Sequence, residues 1–454
     1  MRTLTSTSTS ALHFGLELTK LIIMLANFRS RIKDINSWLF AGIFFFLPIH
    51  VSPAYQITFV ILVLSLIEGD FANKWQRLRR EPLFWIFQAF FWVFVLSLLW
   101  TEDMAAGKRM VGRYGFFLLS GLYLTIARPD LVARCIGFFL AGCIFTESLA
   151  YYNWLQMHVF TDWPTGIRVK KSPEDTAPFV DRIMYTPALA WAGYLAMYQA
   201  LKAQGAMRLV FGAIALTTAG NLIFSGGRTG LVAFLVLLGL LVFQRFAKRP
   251  ITAFIVAISL VGGITVSGYS SNSYFKKRVD DAAHEVTRYN AVTHYAEAAN
   301  SSSGQRINFY VNSWRIFLEN PALGVGAGDF TTEYTRMNER HSPQWPRTFN
   351  PHNQYLFVLT TTGLLGGLIM LLVYLPPALW KGPKDALSEQ RWALFTFIAC
   401  ISIFESYLWR SNTSLLFVLF SSLLMQSAYK PATDGLEGPD APKLDPQTIY
   451  SNTK

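Results

Sequence analysis

One imidazole and two side-chain amides stand together at the start of a long apolar run. The segment reads Asn350-Pro351-His352-Asn353-Gln354-Tyr355-Leu356 and continues through Thr360-Thr361-Thr362 to Gly363-Leu364-Leu365-Gly366. His followed by Asn, nine residues and Gly-x-x-Gly is a far rarer pattern than a lone His. An imidazole exchanges protons near neutral pH, and a general base contributes roughly 10²–10⁴-fold in rate. That makes His352 the candidate catalytic base, with Asn353 and Gln354 as its support and the glycines permitting close helix packing. The competing reading is a boundary histidine that bridges headgroups and backbone. Two arginines suit an anionic partner. Arg228 lies in Ser225-Gly226-Gly227-Arg228-Thr229-Gly230, and Arg306 lies in Ser303-Gly304-Gln305-Arg306 near an expected helix start. A guanidinium is always charged and grips two phosphate oxygens through a planar fork. Composition alone also allows an interfacial anchor at Arg228 and a solvated helix residue at Arg306.

Other residues carry weaker signals. Gly324-x-Gly326-x-Gly328-Asp329 resembles a nucleotide loop only superficially, because no strand precedes it. It reads as a sharp turn, with Asp329 orienting a catalytic group or a sugar as the second possibility. Arg168, Lys170, Lys171 and Arg182 form a basic stretch suited to phosphorylated acceptor groups or to anionic headgroups. His13, His50, His158, His284, His294 and His341 show no ligand spacing, so no metal and no cofactor are expected. Cys135, Cys143 and Cys400 fall in apolar runs and read as small buried hydrophobes. Glu147 and Glu405 also lie in apolar runs, where a carboxylate is costly and must face the interior; their residue context assigns them no role.

The elements that hold these residues are set by composition. The chain has 454 residues, of which 52% are hydrophobic and only 15% charged, and its mean hydropathy is +0.30. Soluble domains are about a quarter charged, so an all-α, polytopic membrane protein is expected. The net charge of +12 falls between apolar runs, as membrane topology demands, and no nucleic-acid module accompanies it. With about 20 apolar residues per span, roughly twelve spans are expected, near 36–52, 54–69, 83–100, 110–127, 132–155, 184–201, 207–224, 229–245, 251–268, 353–379, 391–408 and 412–428. A cytoplasmic N-terminus places the basic loops Lys74–Arg80, Lys202–Arg208, Arg245–Arg249 and Lys381–Arg391 inside. Lys108 and Arg109 then fall outside, against the trend. The division expected is an N-terminal tail with an amphipathic helix (1–35), nine spans (36–268), a large outer loop (269–352), three spans (353–428) and a flexible tail (429–454). The first ten residues are expected to be disordered. Helical spacing of Phe275, Val279, Ala282, Ala283 and Val286, and again of Tyr310, Trp314 and Phe317, predicts helices in the large loop. The second should stop at Asn320-Pro321.

The motif at His352, the turn at Arg228 and the loop arginine Arg306 together resemble the O-antigen ligases. That resemblance implies a GT-C-like glycosyltransferase in the bacterial inner membrane, with its site on the periplasmic face. It implies undecaprenyl diphosphate-linked O-antigen as donor, a sugar hydroxyl of lipid A-core as acceptor, and membrane lipids as surroundings. His352 would deprotonate the acceptor and Arg228 and Arg306 would hold the diphosphate, without metal or ATP. An O-antigen polymerase shares this chemistry. A protein O-oligosaccharyltransferase shares it too, but usually carries a further C-terminal part, whereas the tail beyond Leu424 is short and polar. A lipid-linked sugar transporter should instead place charges at mid-membrane and show repeated halves.

Overall fold

In hydrocarbon, an apolar segment must satisfy its backbone polar groups internally, which a helix does. The computed structural model describes residues 6–159, 175–271, 276, 280, 302–379 and 385–425, and every element among them is an α-helix or a short 3₁₀ turn. In chain order the helices are α1 (Ser6–Phe46), α2 (Val51–Glu68), α3 (Phe71–Leu78), α4 (Pro82–Ser97), α5 (Met104–Arg113), α6 (Gly115–Ile126), α7 (Val132–His158), α8 (Arg182–Lys202), α9 (Gly205–Phe224), α10 (Arg228–Arg245) and α11 (Pro250–Ser271). They continue with α12 (Ser302–Glu319), α13 (Phe330–His341), α14 (Gln354–Tyr374), α15 (Ser388–Ile401) and α16 (Ser411–Leu424), with one short turn of helix at Pro376–Leu379.

Among the described residues, seven of these helices are long and apolar enough to cross a membrane: α2, α4, α7, α9, α10, α11 and α14. The chain is a polytopic, all-helical membrane protein. Leu209, Leu216, Ile251 and Val266 are more than two-thirds exposed on α9 and α11, an apolar surface suited to lipid contact. The remaining apolar runs are helical too, but several are shorter than expected. The run near 110–127 is split at Tyr114 into α5 and α6, and the run near 391–408 ends at Ile401 and gives way to an irregular turn, 402–410. At the N-terminus, Ser6–Ser10 belong to α1, which continues unbroken from the expected amphipathic segment into the first apolar run. Of the two loop helices, α12 ends at Glu319 as Asn320-Pro321 requires, whereas the expected helix beginning at Phe275 lies largely outside the described residues.

Aromatic rings fill the centre of the bundle. Phe87, Phe90, Phe94 and Tyr114 are essentially inaccessible, and Tyr114 stacks on Phe94 with ring centroids 4.1 Å apart. Trp191 of α8 packs edge-on to Phe420 of α16. Away from His352, the buried Arg391 donates to the Leu424 carbonyl at 2.7 Å, so a cation caps the last turn of α16, where the helix dipole is negative.

Gly363 corrects the expectation of tight helix packing. It is not a packing contact but a break: α14 has φ 63°, ψ −159° there, a region essentially reserved for glycine. The loop after α12 fills the gap. Leu364 N–H donates to Pro321 O at 2.8 Å, Val325 N–H to Thr360 O at 2.9 Å and Gly326 N–H to Thr361 O at 3.0 Å. The loop after α12 is thereby stitched into the helix that carries the His motif. A Cβ on Gly363 would lie 2.3 Å from Ala322 O, whereas one on Gly239 would meet nothing. Gly363→Ala should therefore destabilise the protein by about 3 kcal/mol or more from backbone strain and clash, and Gly239→Ala should not. Melting both variants in detergent checks this; equal midpoints would mean the break is not a structural requirement.

Candidate active site

The segment before α14 is shaped by a buried amide. Asn350 is fully buried; its Oδ1 accepts from the His352 amide at 2.9 Å and from the Ser406 hydroxyl at 2.7 Å. Its Nδ2 donates to Glu405 Oε1 at 2.7 Å. This local turn holds His352 at φ 54°, a left-handed conformation that costs a side-chain-bearing residue energy and collects at functional positions.

The imidazole is held from a second direction. His352 Nδ1 lies 2.7 Å from Glu405 Oε2. Glu405 is almost inaccessible, and its other oxygen also receives the Ser406 amide at 3.0 Å. Burial alone would raise this carboxyl. The His352 hydrogen bond and charge outweigh it, with help from Arg410 and the Ser406 amide, and hold the group down at about 2. When the imidazole is neutral, an ionised carboxylate that accepts from Nδ1–H leaves the Nε2 lone pair on the far side of the ring. The same arrangement of acid and base orients histidine bases on unrelated folds.

Helix α12 supplies one wall. Residues three and four apart share a helix face, so Arg306, Phe309 and Tyr310 point the same way. The Phe309 ring stacks on the imidazole at 5.9 Å, and the Tyr310 hydroxyl lies 3.1 Å from the carbonyls of both His352 and Ile403. Arg306 makes no ion pair among the described residues. Tyr407 ties the other walls together. Its hydroxyl donates to Ile183 O of α8 at 3.0 Å, its side chain also engages Thr229 of α10, and Arg306, Arg410 and Glu405 act on it electrostatically. Gly227 and Gly230 beside Arg228 approach Thr186 of α8 so closely that a Cβ on either would sit 2.3 Å from that side chain. The α10 start carrying Arg228 thus joins the same ring as Arg306, Glu405 and His352. Arg182 opens α8 one residue from Ile183. Arg168, Lys170 and Lys171 lie outside the described residues.

The supporting residues act on the frame. Asn353 caps α14 by accepting from Leu356 N–H at 3.0 Å and donates to Ile403 O at 3.1 Å. Gln354 is inaccessible, donating to Tyr114 Oη and accepting from Leu408 N–H, both at 2.9 Å. Asp329 spends both oxygens on backbone amides, those of Glu102 at 2.8 Å and Asp103 at 2.7 Å. It fastens the loop before α5 to the loop before α13 rather than orienting the imidazole, the plainer of its two readings.

Three contributors were not assigned from sequence. Glu405 lay in an apolar run without a partner, because its partner is 53 residues away. Arg113 ends α5, in the same basic segment as Lys108 and Arg109, which ran against the expected topology trend. Arg410 follows Trp409 where an apolar run ends. Their breach of the membrane pattern was the available signal.

The arrangement is thus a buried acid, an oriented imidazole and several arginines at one end of the bundle. A family model described as Wzy_C, O-antigen ligase, matches residues 213–371, which include Arg228, Arg306, Asp329, His352 and the Gly363 break. Over that segment the chain is similar to the O-antigen ligase family. A Haemophilus influenzae protein (strain Rd), described only as uncharacterized, is 25% identical over 158 residues. The match covers 34% of this chain and 38% of that relative. Glu405, Arg410 and Arg113 lie outside the matched segment, on elements that pack against it.

Proposed function

We propose that the chain is an O-antigen ligase that moves a polysaccharide from undecaprenyl diphosphate to a sugar hydroxyl of lipid A-core. The observation that carries this reading is the Glu405–His352 pair, 2.7 Å apart, set in a ring with Arg306 and the α10 start bearing Arg228. His352 Nε2 takes the proton from the acceptor hydroxyl as its oxygen attacks the anomeric carbon. The bond from that carbon to the diphosphate oxygen breaks, and its electron pair leaves on the diphosphate. Attack opposite the leaving group inverts the anomeric centre. Arg228 and Arg306 neutralise the charge that grows on the diphosphate, where preorganised donors act most strongly. An open apolar groove of about 420 Å³ between α4 and α14, lined by Trp92, Val93, Leu96, Leu365 and Ile369, suits a polyprenyl chain.

The reading includes twelve crossings in a GT-C-like bundle, in the bacterial inner membrane, with His352 on the periplasmic face. The basic loops after α3, α8 and α10 support that orientation. A reporter fused after Ala203 should be cytoplasmic and one fused after Ser342 extracytoplasmic. The reverse pattern would put His352 on the wrong side for exported glycan.

Arg228→Lys and Arg306→Lys keep a charge but lose the planar fork. Each should reduce transfer about ten- to a hundred-fold with normal membrane insertion. Near wild-type rates in both would remove the arginines from diphosphate binding. In a deletion strain, ligase activity predicts loss of the lipopolysaccharide ladder with full-length lipid-linked polymer accumulating. Core carrying a single repeat would indicate a polymerase instead, and lipid-linked repeats held on the cytoplasmic side would indicate a transporter.

A further inference from the structure

We infer that Arg113 and Arg410, gathered around the indole of Trp409, form a second anion subsite that takes a phosphoryl group beside the catalytic pair. The inference rests on the reading of this site as a lipid-diphosphate glycosyltransferase, and it adds ligands to which that reading gave no part.

The Arg113 guanidinium carbon lies 4.1 Å from the Trp409 ring centroid, and that of Arg410 lies 5.6 Å from the same centroid. A guanidinium over an aromatic face is held by the ring while its N–H edge stays free to donate. The indole is itself packed edge-on by Phe357 of α14, at 5.7 Å, so the platform belongs to the same frame as His352. Two cations around one ring repel unless an anion joins them. Among the described residues Arg410 has one carboxylate in reach, Glu405 Oε1 at 3.6 Å, and that carboxylate is already engaged by His352, Asn350 and Ser406. Arg113 has no carboxylate partner among the described residues. Burial and the Arg410 charge both push its guanidinium down, with Tyr55 opposing.

A second observation points the same way. Trp409 Nε1, Arg410 Nε and Asn412 Nδ2 are buried nitrogens that find no hydrogen-bond acceptor among the described residues. Three unmet donors within four residues, next to a fourth, cationic donor group at Arg113, describe a place short of acceptor oxygens. Buried donors without acceptors are costly. A phosphoryl group offers several oxygens at once and matches the guanidinium fork. Arg410 touches Glu405 and Glu405 touches His352, so a phosphoryl group held here sits next to the base. Two sources share this chemistry: the donor diphosphate and a phosphate carried by the acceptor core.

The deciding variant is Arg113→Gln, since Arg113 does not contact Glu405 and its loss leaves the catalytic pair in place. Purified wild type and variant are compared for KM toward undecaprenyl diphosphate-linked glycan and toward lipid A-core, intact or dephosphorylated. Inorganic pyrophosphate is titrated as inhibitor and as a melting-point ligand. Donor recognition predicts about a tenfold rise in donor KM and weaker pyrophosphate binding, with either acceptor. Acceptor recognition predicts that the KM for intact core rises about tenfold, toward the value for dephosphorylated core, which stays fixed. Unchanged constants for both substrates in a normally melting variant would overturn the subsite. If Arg113→Gln does not fold, Arg113→Lys keeps a long aliphatic stem on the indole, and a severalfold smaller shift in the same constants is expected. A wild type that transfers no glycan would defeat the proposed activity instead. The pyrophosphate melting shift, present in wild type and lost in the variant, would still read the subsite on its own.

Discussion

His352→Ala should lower glycan transfer by at least about 10²-fold, and up to 10⁴-fold, while expression, detergent stability and donor binding stay near wild type. The imidazole sits at an open end of the bundle, a quarter exposed, so truncation leaves no deep apolar cavity, and the buried Glu405 carboxylate keeps Asn350, the Ser406 amide and Arg410 as partners. Its departure also relieves the φ of 54° only partly, since alanine bears a Cβ as well, so no large gain in stability should mask the loss. In the proposed mechanism donor binding rests on guanidinium groups and not on the imidazole, and the two defects should therefore separate. Arg228→Ala should weaken donor binding, whereas His352→Ala should bind donor and fail to turn it over. Retention of more than about a tenth of the wild-type rate would remove the general-base role, because such catalysis is worth more than that.

Glu405→Gln should be nearly as damaging, although it preserves shape. Oε1 of Glu405 receives two donors, Asn350 Nδ2 and the Ser406 amide, and Oε2 faces His352 Nδ1. An amide has only one acceptor oxygen. If that oxygen keeps the two donors, the NH₂ group points at Nδ1 and forces it to accept, which moves the ring proton to Nε2. A base carrying its proton on the working nitrogen cannot take another; the equivalent carboxylate-to-amide change in serine proteases costs about 10⁴-fold. We expect a fall of about 10²–10⁴-fold in kcat with little change in donor KM, and partial recovery in Glu405→Asp. Direct ¹⁵N NMR of labelled histidine would show the tautomer. A Gln variant with normal kcat, or with the proton still on Nδ1, would show that Glu405 acts only as a structural anchor.

The sequence made the chemistry of this site easier to find than its geometry. His352, Arg228 and Arg306 stand in short local signatures, and α12 announces itself through Tyr310, Trp314, Phe317 and the stop at Asn320-Pro321. Glu405 carries no such signature, since its meaning depends on a fold that returns the chain to His352 after 53 residues. Hydropathy also merged what the backbone separates. Leu, Ile and Phe run through 391–408 without interruption strong enough to mark the end of α15 at Ile401, so the part of the polar turn holding Glu405 looked like part of a span, with Arg410 just past its end. Gly363 and Gly366 were ambiguous for a different reason. A small-residue pair serves equally for close helix packing and for a positive φ, and only the pairing with Pro321 and Ala322 distinguishes the two. Asp329, finally, could be read from its glycine loop only as part of a turn or as an orienting group, because the two amides it binds lie more than two hundred residues away.

The most direct test of the central claim is transfer by the purified protein in vesicles supplied with undecaprenyl diphosphate-linked glycan and lipid A-core, with no nucleotide present. The account predicts that glycan appears on lipid A-core in wild type, with inversion at the linking carbon and release of undecaprenyl diphosphate. It predicts only donor-bound, unreacted lipid with His352→Ala. Growth of the glycan on its own lipid carrier with no product on lipid A-core, or equal transfer by wild type and His352→Ala, would contradict it.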